Sequence, residues 1–134
     1  MALTELFYSE LVAAVGSLVG GRVYINPIPP GSATPVVAYK RVYGAHTRRH
    51  TAAGSSNGVA SQWQTRWQID VLSKSYADIE TVMSAVADYF GSMSDYTSAP
   101  LIYDSVVDMA FTVWDGTAEM HRGIMNVSML SSSS

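Results

Sequence analysis

The chain has 134 residues, 48% of them apolar and 14% charged, with a net charge of −3 and no cysteine. That length and apolar content predict one ordered domain with a single core and exclude a disordered chain. The acidic balance argues against a dedicated nucleic-acid binder, and the missing thiols exclude a disulfide frame and a thiolate metal site.

Leu3, Phe7, Leu11, Val15 and Leu18 recur at helical spacing, with Leu6 and Ala14 beside them, which predicts a helix over residues 3–19. Thr4, Glu5, Ser9 and Glu10 interrupt the apolar pattern and no basic segment precedes it, so no secretory signal is expected. No run of eighteen apolar residues occurs, so no membrane-spanning segment is expected. Gly20-Gly21 stops the helix, because glycine accepts the left-handed conformation at a helix C-terminus. A short strand follows at Arg22–Ile25. Residues Asn26–Pro35 carry four prolines, which remove backbone donors and fix φ, and are predicted as an exposed connector.

The β-branched and aromatic run Val36–Tyr43 predicts a strand. Residues Gly44–Ala60 have no hydrophobic period and are predicted as a long loop, of the kind that is usually functional or disordered. This segment holds His46-Thr47-Arg48-Arg49-His50 and Gly54-Ser55-Ser56-Asn57-Gly58. Strict alternation then predicts a strand over Gln62–Leu72. Trp63, Thr65, Trp67, Ile69 and Val71 share one face and point toward helices; Gln62, Gln64, Arg66, Gln68 and Asp70 form the other. A second helix starts near Ser75, with Asp78 in a capping-box position and Ile79, Val82, Met83, Val86 and Phe90 as its buried stripe. Gly91 ends it. After a polar loop over Ser92–Pro100, strands are predicted over Leu101–Trp114 and Met120–Leu130, joined by a turn at Asp115–Glu119. Ser131–Ser134 is read as a flexible tail to a single domain over residues 1–130.

The order helix, strand, strand, strand, helix, strand, strand predicts an α+β domain: a mostly antiparallel sheet of four to five strands, with two helices packed on one face. The Gln/Arg/Asp row then occupies the helix-free face. Amides donate and accept hydrogen bonds without the desolvation cost of buried ions, so this row suits an interface. It equally suits the solvated face of an antiparallel sheet. A charged fraction well below the roughly 25% of average soluble domains suits packing against other protein, and the absence of thiols fits assembly in a reducing cytoplasm.

Other motifs lack the context their chemistry needs. Gly54–Gly58 matches a nucleophile elbow, but no strand leads into it and no helix leaves it. His46 and His50 have a helical zinc-binding spacing, yet Arg48 and Arg49 repel a cation and no third ligand lies near. That basic run reads instead as a solvated loop or as a contact for an acidic partner or for phosphates. Gly20-Gly21 lacks the spacing of a phosphate-binding loop. Asn126-Val127-Ser128 is a glycosylation sequon inside a predicted strand. Asp104, Asp108 and Asp115 read as solvated carboxylates, and His121 and Arg122 as edge or interface residues. No acid/base pair or nucleophile constellation survives, so no enzyme, metal or cofactor is expected.

Three segments, in order, resemble the tail-terminator, or tail-completion, proteins of long-tailed bacteriophages and related gene-transfer particles. Val19–Arg41 (VGGRVYINPIPPGSATPVVAYKR) resembles a Gly-Arg-Val-Tyr strand, a proline-bearing loop and a Pro-x-Val strand. Trp67–Phe90 (WQIDVLSKSYADIETVMSAVADYF) resembles an aromatic strand, a polar turn and an acidic helix start. Val106–Met129 (VVDMAFTVWDGTAEMHRGIMNVSM) resembles a closing hairpin with a polar turn before His-Arg. The resemblance covers residues 1 to 130, through a pattern of elements. The basic run at 46–50 sits in a longer loop than many members have, so its role is not carried over.

The resemblance implies a structural virion protein of the tail or neck, assembled in the host bacterial cytoplasm. It would form a hexameric ring that caps the head-proximal end of the tail tube and ends its polymerisation. Implied partners are copies of itself, the major tail tube protein and a head-tail connector or stopper. Genome DNA would pass through the lumen without sequence-specific binding, and no membrane is involved. A closed ring needs two different complementary surfaces per subunit. Candidate interface residues are Gln62, Gln64, Arg66, Gln68 and Asp70 on the helix-free face, His46, Arg48, Arg49 and His50 in the basic segment, and Pro29 and Pro30 in the connector. The alternatives are another neck or minor tail protein, such as a head-tail stopper or adaptor, and a small nucleic-acid-binding module. The last requires aromatics on an open sheet face, whereas Trp63 and Trp67 share theirs with Ile69 and Val71.

Overall fold

Leu3, Leu6, Phe7, Leu11 and Val15 are all buried on one side of α1 (Leu3–Val15), as their spacing requires. The computed structural model describes residues 3–50, 59–93 and 102–132, with 47–50, 59–62 and 103 described by backbone alone. Past Val15 the chain continues in turns, held by Val19 N–H to Val15 O at 3.2 Å and Gly21 N–H to Gly16 O at 2.8 Å. Gly20 and Gly21 take positive φ of 60° and 77°, which is why two glycines stand there. At Gly20 a Cβ would also lie 2.7 Å from the Arg22 guanidinium, whose Nε donates to Pro35 O at 3.1 Å and ties down the proline connector.

The five strands are β1 (Val23–Ile25), β2 (Val36–His50), β3 (Val59–Ser73), β4 (Ile102–Asp115) and β5 (Met120–Ser131). They form one sheet in the order β1-β2-β3-β5-β4, antiparallel except for the β1–β2 pair. The second helix, α2 (Tyr76–Gly91), lies between β3 and β4 in sequence. This is the predicted α+β architecture, in the predicted order of elements.

The described residues of the segment predicted as a loop over Gly44–Ala60, 44–50 and 59–60, are strand. β2 pairs with β3 from Val36↔Leu72 to His50↔Val59, with a register shift between Arg41 and Tyr43. The His46–His50 run is therefore part of a long hairpin arm. Its sequence lacks an apolar period because the ladder, and not burial, sets the strand there: Ala45 is half-buried, while Tyr43, Gly44 and His46 are exposed. The Gly54–Gly58 motif lies outside the described residues. At the other end, β5 runs one residue past Leu130, and Ser131 is buried.

Both helices pack on one face of the sheet. Phe7 of α1 stacks on Trp67 of β3, with centroids 4.2 Å apart and 7° between planes, and on Phe90 of α2 at 5.3 Å. Trp67 is 1% exposed, and its indole N–H donates to Thr65 Oγ1 at 3.0 Å, so its polar atom is satisfied inside the core. Ile69, Val71, Met125 and Val127 continue the same layer. The Tyr89 hydroxyl of α2 donates to the Glu10 carboxylate of α1 and links the two helices. Trp63 shares the face of Trp67 by alternation but is not part of the core: it is half-buried and stacks on His46 at 4.7 Å.

The start of α2 also differs from expectation. Ser75 occupies the N-cap position but its side chain caps nothing. The buried Ser73 does the work, accepting from Ser75 N–H at 3.1 Å and donating to Asp78 Oδ2 at 3.3 Å.

α2 crosses β5 at Gly123, where a Cβ would lie 2.5 Å from Met83 Sδ and 3.0 Å from Ile79 Cγ2. Gly123→Val is expected to cost about 1–3 kcal/mol as overpacking, and Gly123→Ala less, because the Met83 thioether can swing aside while Ile79 cannot. Urea midpoints at unchanged slope check this. Burial, with a smaller contribution from the Tyr8 phenol, raises the Tyr39 pKa above 10.0. The unfolded chain then loses this proton first, so stability is full below pH 10 and falls as pH rises above it. Tyr39→Phe is expected to show a shallower alkaline decline in denaturation midpoint than the wild type.

Candidate interaction face

In β3, alternation sends Gln64, Arg66, Gln68 and Asp70 to the face opposite the helices, because Trp67 and Ile69 between them are in the core. Register sets their neighbours. Gln64, Arg66, Gln68 and Asp70 stand opposite Leu130, Ser128, Asn126 and Ile124 of β5. Those in turn stand beside Asp104, Val106, Met109 and Phe111 of β4, with Val113 next to Arg122. On the other side Lys40 and Tyr43 of β2 pair with Gln68 and Arg66.

Much of the polar row is bonded within the chain. Gln68 Nε2 donates to Asp70 Oδ1 at 2.9 Å. Arg122 bridges Asp70 at 3.7 Å and Asp115 at 3.3 Å, so the nearly buried Asp70 carboxylate has an opposite charge beside it. Arg66 lies 3.6 Å from Asp108 and donates to Ser128 Oγ at 3.5 Å, while the Ser128 hydroxyl donates to Asp108. Such partly exposed pairs contribute about 0–1 kcal/mol each, so they fix side-chain positions more than they stabilise the fold. Asp115 also accepts from Thr117 N–H and Ala118 N–H, both at 3.1 Å, and shapes the β4–β5 turn. Gln64 is exposed beside a shallow depression of about 390 Å³ that Arg66, Asp104, Val106, Asp108 and Leu130 also line.

The sequence reading missed an apolar row on this same face. Val106, Met109, Phe111 and Val113 are each 41–48% exposed. Trp114 at the strand end is 58% exposed but lies on the other face, against His121. The run Val106–Trp114 is apolar at almost every position, so alternation could not say which residues face the core. The register shift between Val107 and Met109 breaks the period further.

The other predicted residues lie elsewhere. His46 is exposed against Trp63, and Arg48, Arg49 and His50 pair in register with Ser61, Ala60 and Val59. Four residues along a strand span roughly 13 Å, so His46 and His50 cannot chelate one ion as a helical pair would. Among the described residues no group of three or more His, Asp or Glu side chains could hold a metal. Gln62 stands opposite Thr47 at the same end of β3. Pro29 and Pro30 are exposed in the connector after β1, away from the polar row. His121 makes edge contacts with Tyr76 and Trp114, and Arg122 belongs to the network described above. Near β1, a largely apolar groove of about 500 Å³ is lined by Thr4, Glu5, Tyr8, Tyr24, Ile25 and Tyr39. No helix is long and apolar enough to cross a membrane, among the described residues.

Comparison with known proteins agrees with this architecture. No curated protein matches the sequence. A chain from a solved structure described as the virion of native gene transfer agent (GTA) particle has a similar fold, with a TM-score of 0.59 and 18% identity, over 92% of this chain and 90% of that one. The family model described as tail completion protein gp17 matches residues 9–131. The chain therefore belongs to the tail completion protein gp17 family and is a structural protein of a phage-type tail.

Proposed function

We propose that this protein is a tail terminator, a non-enzymatic subunit of a six-membered ring that caps the head-proximal end of the tail tube. In this reading the ring ends tube polymerisation and offers its far side to a head-tail connector or stopper. It assembles in the host cytoplasm, and genome DNA passes through its lumen without sequence-specific contacts. The observation that carries the proposal is the helix-free face, where a bonded polar row is flanked by the exposed Val106, Met109, Phe111 and Val113. Soluble monomers rarely leave a contiguous apolar row of this kind uncovered, and a bonded polar row presents fixed donors and acceptors to a neighbour. The burial of Trp67 in the core argues against the single-strand-binding alternative, which needs such rings on the open face.

Sedimentation over a concentration series is expected to show a species of six chains. Gln64→Ala/Gln68→Ala is expected to weaken association about thirtyfold, since two hydrogen bonds contribute about 1 kcal/mol each, with the thermal midpoint nearly unchanged. Phe111→Ser is expected to weaken it further. Association unaffected by all three changes would return this face to solvent.

A further inference from the structure

The charges of this chain are sorted along the sheet. Seven of its eight Lys and Arg residues lie between Arg22 and Lys74, a span with one acid, Asp70. Eight of its eleven Asp and Glu lie after Lys74, with Arg122 the one Lys or Arg there. The first span builds β1, β2 and β3, and the second builds α2, β4 and β5. Because the sheet order is β1-β2-β3-β5-β4, this sorting gives the sheet a basic margin and an acidic margin.

Among the described residues, each margin ends in an unpaired strand edge. β4 is the outermost described strand on its side, and among the described strands its 14 residues pair with β5 alone. It has neither Lys nor Pro to guard it, and it carries Asp104, Asp108 and Asp115. On the far side, the three-residue β1 covers β2 only from Val37 to Tyr39. From Lys40 to His50 no described strand pairs with the outer edge of β2, and this stretch carries Lys40, Arg41, Arg48 and Arg49 without an acid. Asp108 and Asp115 are partly compensated by Arg66 and Arg122, and Asp104 is exposed.

We infer that the acidic β4 edge of one copy pairs with the basic outer edge of β2 in the next copy, from Lys40 onward, continuing the sheet from subunit to subunit. The inference rests on the ring reading above and adds which two edges meet. Pairing β4 with β4, or β2 with β2, would set like charges against each other across a two-fold axis. The opposite-edge pairing sets Lys and Arg against Asp, and the charge pattern selects between these arrangements. Opposite-edge contacts are heterologous, and a ring of identical subunits requires this kind. Backbone edge groups supply hydrogen bonds, as in strand addition, and the exposed Val106, Met109, Phe111 and Val113 supply apolar area beside the joint.

Charge exchange tests this directly. One variant, Asp104→Lys/Met109→Lys, puts two cations on the β4 edge; the other, Arg48→Glu/Arg49→Glu, puts two anions on the β2 edge. Each variant alone is expected to lose self-association at least about a hundredfold while keeping the wild-type circular dichroism spectrum. Mixed in equal amounts, they are expected to assemble to within about tenfold of the wild type, in particles with equal numbers of each chain by native mass spectrometry. If the wild type assembles and either variant alone assembles equally well, or the mixture stays monomeric, the edge assignment is wrong and the ring reading stands. If the wild type stays monomeric up to millimolar concentration, the ring reading fails, and this inference with it.

Discussion

Trp67 sits where the two layers of the molecule meet. Phe7 lies flat on it from α1, Phe90 reaches the same cluster from α2, and Arg41 approaches its ring at 5.7 Å. The internal bond to Thr65 lets a ring this large sit at 1% exposure without an orphaned donor. The stack commits one face of β3 to the helices. Because side chains alternate, it also commits every intervening residue of β3 to the other face. A one-residue slip would bury Arg66 and Gln68 and expose the indole, so the register is strongly specified at this point.

Two helices cover one face of a five-stranded sheet, and among the described residues the opposite face has no layer of its own. The chain treats that face in two ways. Along β3 and β5 it ties polar groups to one another through Gln68, Asp70, Arg122, Arg66, Ser128 and Asp108. Along β4 it leaves Val106, Met109, Phe111 and Val113 exposed. The first arrangement holds a fixed pattern of donors and acceptors, and the second supplies area that gains from being covered. Membership of the tail completion family gives such a face a reason to exist, since a tail protein works among other proteins.

The long hairpin of β2 and β3 shows how far local pattern can be trusted. Where the helices cover the sheet, from Val36 to Tyr39 and from Trp67 to Val71, residues alternate or run apolar and the strands are legible. Toward His50 and Val59 the same strands have no core to face, and the apolar period disappears while the ladder continues. The capping of α2 shows the same limit at short range. Ser75 and Asp78 have the spacing of a capping box, but the buried Ser73 holds the Asp78 carboxylate.

The sequence by itself determined the number, order and type of elements and the burial of most of the α1, α2 and β3 stripes; Leu18, past the end of α1 at Val15, is exposed, and Trp63 is half-buried. It also showed the amide row of β3 and the family resemblance across the chain. These follow from periodicities of 3.6 and 2 residues and from Gly and Pro punctuation, all of which are local. Only the tertiary structure decided that the basic run at residues 46–50 is strand, that Arg122 serves Asp70 and Asp115, and that β4 lies at the sheet margin with its apolar row exposed. Strand order and register are long-range pairings. The side of β4 that meets solvent depends on which neighbour it has and where its ladder shifts, and a strand with apolar residues on both faces carries no record of either.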